Sequence, residues 1–293
     1  MCSKETVACL QPFLLLRNQS WGHSEHFTIL LKEPYTKGAS MNEFLNDTEC
    51  KCNHMPNIGE IAPEFGANST NGYIHFPHDY RGKWVIFFSH PGDFTPVCTT
   101  EFMTFQSMYD EFRALNTELV GLSVDSNASH IAWIQAIQHD IVFSGWKNME
   151  IMFPIIADNT GMVAHKYGMI HDTSGNTDTI RAVFIIDPRG IIRTILYYPK
   201  SVGRNITEIK RVLIALQTSD AFRVATPAEW IPGDDVIVPA PNTVADARAR
   251  SHGKNASGRS WFLMFKHISP EMILNKITNQ KYITSEKKKS KKK

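Results

Sequence analysis

The chain has 293 residues and a mass of 33.2 kDa, with 42% hydrophobic and 20% charged residues, values that exclude wholesale disorder and allow a sizeable core in one large domain or two smaller ones. No uninterrupted apolar run approaches the ~20 residues of a membrane-spanning helix. The formal net charge of +2 belongs to the C-terminus: six lysines crowd Lys287–Lys293, and the remaining 25 basic residues face 29 acidic ones, a net of −4. The body of the chain is therefore not expected to bind nucleic acid, and the lysine run reads either as a basic segment for anionic partners or as a solvated end.

Residues 1–53 read as a mobile N-terminal extension. The apolar patch from Val7 to Leu16 is broken by Gln11 and Pro12 and lacks a small-residue cleavage site, so it makes a poor secretory signal. Glu5, Glu25 and Glu33 argue against a transit peptide. Order is expected over 54–222. Trp84 to Ser89 (WVIFFS) is a continuous apolar run of strand length, the pattern of a strand buried on both faces. From Thr99 the period changes: Phe102, Phe105, Tyr109, Phe112 and Leu115 mark one amphipathic helix. Glu118–Val124 is a second strand, and His130–Ile141 a helix with Ile131, Ile134, Ile137 and Ile141 on one face. Met152–Ile156, Ala182–Ile186 and Ile191–Tyr198 are three more strands, the last two joined across the turn Asp187-Pro188-Arg189-Gly190. Ile206–Leu216 is a further helix. Strands alternating with helices indicate an α/β layer fold with a partly parallel sheet. Pro227, Pro232, Pro239 and Pro241 then suggest an extended arm over 223–241, lying on the domain or on a second subunit, and 242–293 reads as a loosely ordered tail.

The five cysteines, Cys2, Cys9, Cys50, Cys52 and Cys98, are odd in number and irregular in spacing, unlike a secreted disulfide framework. Free thiols and a reducing, cytoplasmic setting are expected. The stretch Ser89-His90-Pro91-Gly92-Asp93-Phe94-Thr95-Pro96-Val97-Cys98-Thr99-Thr100-Glu101 joins the first strong strand to the first helix. It places Cys98 in the opening turn, where unpaired N–H groups and the helix dipole favour an anion such as a thiolate. Thr95 is one turn earlier, able to donate its hydroxyl to sulfur or to a bound oxygen. Pro91 and Pro96 stiffen the loop, and Glu101, three positions on, can fix the first turn or orient a basic side chain.

This stretch resembles the peroxiredoxins, and SHPGDFTPVCTTE resembles their 1-Cys (peroxiredoxin-6-type) subfamily in particular. The family's Pro-x-x-x-Thr-x-x-Cys motif is met by Pro91, Thr95 and Cys98. KWVIFFSHP, ELVGLSVDS, RAVFIIDPRG, RNITEIKRVLIALQ and RVATPAEW extend the likeness from about Pro56 to Pro241. The resemblance implies a thioredoxin-like fold and a thiol peroxidase needing no cofactor and no metal. Cys98 would be the nucleophile toward hydrogen peroxide and alkyl hydroperoxides, Thr95 a hydrogen-bonding partner of the peroxide, and Arg181 the active-site arginine. His90 and Glu101 match subfamily positions, with His90 either a second proton donor or a packing residue. The resemblance also implies homodimers, in some members closed into decamers.

No cysteine follows Cys98, so a one-cysteine cycle is expected, with an external thiol of the thioredoxin or glutathione type as reductant. Cys50 or Cys52 is the alternative resolving residue. Cys50-x-Cys52-x-His54 lacks the fourth ligand of a closed zinc site. The lipase-like Gly-x-Ser-x-Gly of some animal members is replaced by Arg81-Gly82-Lys83-Trp84-Val85, without the serine. A peroxide sensor or holdase-type chaperone using the same cysteine is the competing function. A cysteine hydrolase with His90 as base is disfavoured, because no third, orienting residue is evident.

Overall fold

A computed structural model describes residues 55–170, 178–252 and 260–278. The N-terminal extension, with Cys50, Cys52 and His54, and the lysine run lie outside the described residues. Strands β1 (Phe65–Ser69) and β2 (Gly72–Phe76) form an antiparallel hairpin ahead of β3 (Trp84–Ser89). Every residue of β3 is buried, as a continuous apolar run at the centre of a covered sheet must be. Alternate side chains point to opposite faces. Ile86 and Phe88 join one core with Phe102, Phe105, Trp133, Phe153 and Leu213, whereas Val85 and Phe87 join a second with Phe76, Tyr167 and Phe184.

Helix α1 (Pro96–Ser107) follows β3, then α2 (Tyr109–Ala114) and β4 (Thr117–Ser123). The single helix expected here is two, broken at Met108, whose φ of −105° and ψ of 5° leave the helical region with no Gly or Pro to announce it. Helix α3 (Asn127–Asp140) begins earlier than its apolar stripe because Ser126 caps it, accepting from the Ser129 N–H at 3.1 Å. Its buried face is His130, Trp133 and Ile137; of the expected isoleucine stripe Ile137 is fully buried, Ile134 and Ile141 pack on the core from its margin, and Ile131 is exposed. Strand β5 (Ile155–Ala157) is shorter and later than expected, since Met152–Pro154 run outside the ladder. Then come α4 (Met162–Lys166), β6 (Arg181–Ile186), β7 (Ile192–Tyr198) and α5 (Ile206–Phe222), the last capped by Asn205.

The seven strands lie in the order β2-β1-β5-β4-β3-β6-β7. β3, β4 and β5 are mutually parallel, and β6 pairs antiparallel with both β3 and β7. These pairings bring the end of β3, the start of β6 and the chain beyond β7 to one end of the sheet.

The proline-rich stretch does not simply trail away. It folds back, with Ala225 bridging Ile237, and buries Trp230 and Val236 in the first core. Strand β8 (Val236–Val238) pairs with β9 (Met264–Lys266), α6 (Val244–His252) lies between them in sequence, and α7 (Pro270–Ile277) packs on α5. The segment read as a loose tail is therefore structured over 260–278, because Ile268 and Ile273 reach the core. Among the described residues, no helix is long and apolar enough to cross a membrane.

Candidate active site

Pro96 opens α1 at its first turn, where a fixed φ suits the helix and no N–H is lost. Thr95 is the N-cap residue, but its hydroxyl makes no capping bond; it donates instead to the Gly92 carbonyl at 2.8 Å, closing the loop on itself. Cys98, in the first turn, is fully buried and is the sole free cysteine among the described residues.

Antiparallel pairing of β3 with β6 sets Arg181 beside this helix start. Its Nη1 lies 3.2 Å from Cys98 Sγ and 2.9 Å from Glu101 Oε2. Its Nε and Nη2 both donate to the Lys200 carbonyl, at 2.9 and 2.7 Å, so the guanidinium is held from two sides. Glu101, expected to fix the first turn or to orient a basic side chain, bonds two arginines. Arg204, just before α5, donates from its main-chain N and Nε to Glu101 Oε1 at 2.8 and 3.0 Å, and from Nη2 to Oε2 at 2.6 Å. Its Nη1 bonds the carbonyls of Ser89 and Ala182, tying β3 to β6, and its guanidinium lies over the rings of Phe88 and Phe105. Burial pushes the Glu101 carboxyl up, but the charge and hydrogen bonds of Arg204 and the charge of Arg181 outweigh it and hold it below the usual carboxylate range. One carboxylate thus stands against two buried guanidinium groups, leaving a net positive charge beside Cys98.

His90 follows β3 and is fully buried, its ring stacked on Trp133 and edge-on to Phe102. Burial, first, draws its imidazole below the ordinary histidine range. Its Nε2 lies 3.1 Å from Asp93 Oδ1 and its Nδ1 has no hydrogen-bond partner. A third residue does therefore accompany His90, contrary to the sequence reading, yet the partner of Cys98 Sγ is Arg181 rather than His90. The ring of His90 is thus held by Asp93 and packed between Trp133 and Phe102, with no contact between it and Cys98 Sγ among the hydrogen bonds of the site. Among the described residues, His90, Asp93 and His130 form the one group of metal-ligand side chains in close proximity, and each histidine stands at hydrogen-bond distance from Asp93. A surface cavity of about 650 Å³ opens by Trp84, Asn116, Gln217 and Lys276, at the start of β3, away from Cys98.

The structure thus brings Pro91, Thr95, Cys98, Glu101, Arg181 and His90 to one end of the sheet. Arg204, Asp93 and His130 went unassigned in the sequence. Arg204 stands in RNITEIKRV, one residue ahead of the cap of α5, with nothing local to mark it as the partner of a carboxylate 103 positions away.

Residues 58–195 match the AhpC/TSA family, and residues 215–254 match the C-terminal domain of 1-Cys peroxiredoxin. A peroxiredoxin of Methanosarcina mazei is 57% identical over 215 residues, covering 72% of this chain and 98% of that protein. One from Thermotoga maritima is 50% identical over 218 residues, covering 73% and 98%. Among solved structures, a yeast mitochondrial 1-Cys peroxiredoxin described with glutathione and thioredoxin resolving systems has 40% identity and a TM-score of 0.62, covering 73% of this chain and 100% of that one. A cysteine-to-serine mutant of peroxiredoxin 6 from Arenicola marina has 34% identity and a TM-score of 0.62, covering 72% and 98%. With likeness of this depth across nearly the whole of such relatives, the chain belongs to the peroxiredoxin family, a thiol-dependent peroxidase of the 1-Cys type on a thioredoxin-like fold.

Proposed function

We propose that Cys98 is the residue oxidised by peroxide and that the cycle is completed by a thiol from outside the chain. The observation that carries this reading is the 3.2 Å contact between Arg181 Nη1 and Cys98 Sγ at the start of α1. The thiolate attacks one peroxide oxygen: the S–O bond forms, the O–O bond breaks, and the second oxygen leaves as hydroxide or alkoxide, taking a proton to become water or an alcohol. Cys98 is oxidised to sulfenic acid and the peroxide is reduced. Arg181 and the helix N-terminus face charge that spreads from sulfur to the departing oxygen. The Thr95 hydroxyl, its proton engaged by Gly92, offers lone pairs to the peroxide O–H. The full burial of Cys98 favours hydrogen peroxide and small alkyl hydroperoxides over bulky ones.

An external thiol then attacks the sulfenic sulfur, releasing water and leaving a mixed disulfide that a second thiol reduces. Among the described residues no other cysteine stands near to compete. A reductant of the glutathione or thioredoxin type, a reducing cytoplasmic compartment, and assembly as dimers or dimer-based decamers fit this reading; β7 ends the seven-stranded sheet, and beyond Ile192, which bonds Gly59 and Glu60, its outer edge meets no further strand among the described residues. The decisive experiment is peroxide consumption with glutathione or thioredoxin as reductant. Sustained turnover that Cys98→Ser abolishes is the expected result; wild-type turnover by Cys98→Ser overturns the assignment, and a single burst without turnover favours a sensor.

A further inference from the structure

A group of buried polar side chains beside the site takes no part in the chemistry above. Asp93, inside the loop that carries Thr95, has a side chain only 1% exposed and stands between two fully buried histidines. His130 Nδ1 lies 3.0 and 2.9 Å from the two Asp93 oxygens, and its Nε2 lies 3.2 Å from the Ile156 carbonyl. A carboxylate and a carbonyl only accept, so each nitrogen of His130 faces an acceptor to which a ring N–H can donate. Asp93 also faces Nε2 of His90, and the Nδ1 of His90 has no hydrogen-bond partner.

The same aspartate ties down the loop. Its main-chain N–H donates to Asp125 Oδ2 at 2.9 Å, and that oxygen also receives the Ser123 hydroxyl at 2.8 Å. The next residue, Phe94, sits at φ +55°, a left-handed conformation unfavourable for a bulky side chain, and is 59% exposed. Asp93 therefore holds a strained turn whose next member is Thr95.

We propose that His130 is a positioning residue for peroxide reduction, acting through Asp93 to keep His90 neutral and to seat the Pro91–Thr95 loop against Cys98. This rests on the assignment of Cys98 and Thr95 above. Burial pushes the Asp93 carboxyl up, but hydrogen bonds from His130 and His90 outweigh it and hold it well below the carboxylate range. His90 is drawn down first by burial, against its hydrogen bond with Asp93, and the charges of His130 and Arg204 add to the effect. Those are the charged groups facing His90, with Trp133 and Phe102 as uncharged walls. Without His130, the buried Asp93 carboxylate keeps one partner, and His90 is driven to take a proton at Nδ1 to neutralise it. A group that is silent in the native enzyme then titrates beside the site.

The test uses the full reduced chain with ¹⁵N-labelled histidine, together with His130→Gln and His130→Gln/Asp93→Asn. In the native protein, His130 is expected to carry protons on both nitrogens and His90 on Nε2 alone between about pH 6 and 8. In His130→Gln, the second-order rate of Cys98 oxidation should fall about 10- to 100-fold, and the rate should acquire a one-proton ionisation matched by the His90 signals. Adding Asp93→Asn should remove that ionisation. A native His130 with a bare nitrogen, or a His130→Gln rate and pH profile like the native ones, overturns the proposal. So does a co-purifying divalent cation whose removal by chelation changes the His130 signals, which would assign the three side chains to a metal. The native spectra need no variant to fold, and they stand or fall separately from the outcome with Cys98→Ser.

Discussion

Arg181 Nη1 lies 2.9 Å from Glu101 Oε2, and this is the nitrogen that also meets Cys98 Sγ at 3.2 Å. Orientation and chemistry are thus coupled through one atom: whatever fixes the carboxylate fixes the donor that faces sulfur. Glu101 is itself fixed by Arg204, through three bonds to both carboxylate oxygens. The contacts run from Arg204 through Glu101 and Arg181 to Cys98, and each step crosses from one element to another.

Glu101→Gln should therefore cost both stability and reactivity. The change leaves two buried guanidinium groups without their counter-charge, and breaking a buried pair in this way costs about 3–5 kcal/mol. The Glu101 carboxyl is held below its ordinary range, so the native protein gains stability from it above that range and loses it as pH falls through the depressed folded value. Melting temperatures measured from neutral to acid pH should show a steeper acid loss for the native protein than for Glu101→Gln, which has no carboxylate to protonate. Parallel acid limbs would refute the linkage.

Arg204→Lys keeps the charge but loses the planar fork. A single ammonium cannot satisfy both Glu101 oxygens and also the carbonyls of Ser89 and Ala182. With two buried carbonyls left short of a donor, the expected cost is about 2–4 kcal/mol. Because Arg204 touches no peroxide, its effect on Cys98 oxidation should be smaller than that of Arg181→Lys. Stopped-flow oxidation rates and urea unfolding on the two variants check the order.

Thr95 tests the loop itself. Thr95→Val removes the hydroxyl that bonds Gly92 and leaves no lone pair for peroxide, so unfolding should become easier by about 1 kcal/mol. Oxidation of Cys98 should slow far more, by about 10²-fold, as expected when a group acting in the transition state is removed. Thr95→Ser should recover most of the rate. If Val and Ser variants oxidise alike, the hydroxyl has no part in the reaction.

What could be read along the chain was what the chain states locally. WVIFFS announces β3, and the motif from Pro91 to Cys98 announces the turn into α1, because a buried strand, a stiffened loop and a helix start leave their marks on neighbouring residues. Glu101 was legible as an orienting group but not its stronger partner: Arg204 becomes meaningful only once β6 and β7 carry the chain back to the end of β3. The His130 pairing with Asp93 was hidden for the same reason, and the isoleucine stripe of α3 pointed to Ile137 but not to His130 and Trp133, which share its buried face. The break at Met108 has no local signal at all. Short segments whose order comes from docking rather than from periodicity were the least legible, and residues 260–278 are the plainest instance.

That last segment yields a prediction that separates docking from mere proximity. Ile273 is fully buried in the main core, on a helix of eight residues capped by Ser269 through the Met272 N–H at 3.3 Å. A helix this short is marginal alone, so its order must come from packing. Ile273→Ala should then destabilise the domain by about 2–4 kcal/mol, the range for truncating a buried aliphatic side chain. The exposed neighbour Met272→Ala should change stability by no more than about 0.5 kcal/mol. Chemical denaturation of both variants decides the matter. Equal, small effects would mean that α7 contributes nothing to the fold, whereas a large loss confined to Ile273→Ala makes α7 a working part of the peroxidase core, packed on α5, which Arg204 of the site precedes.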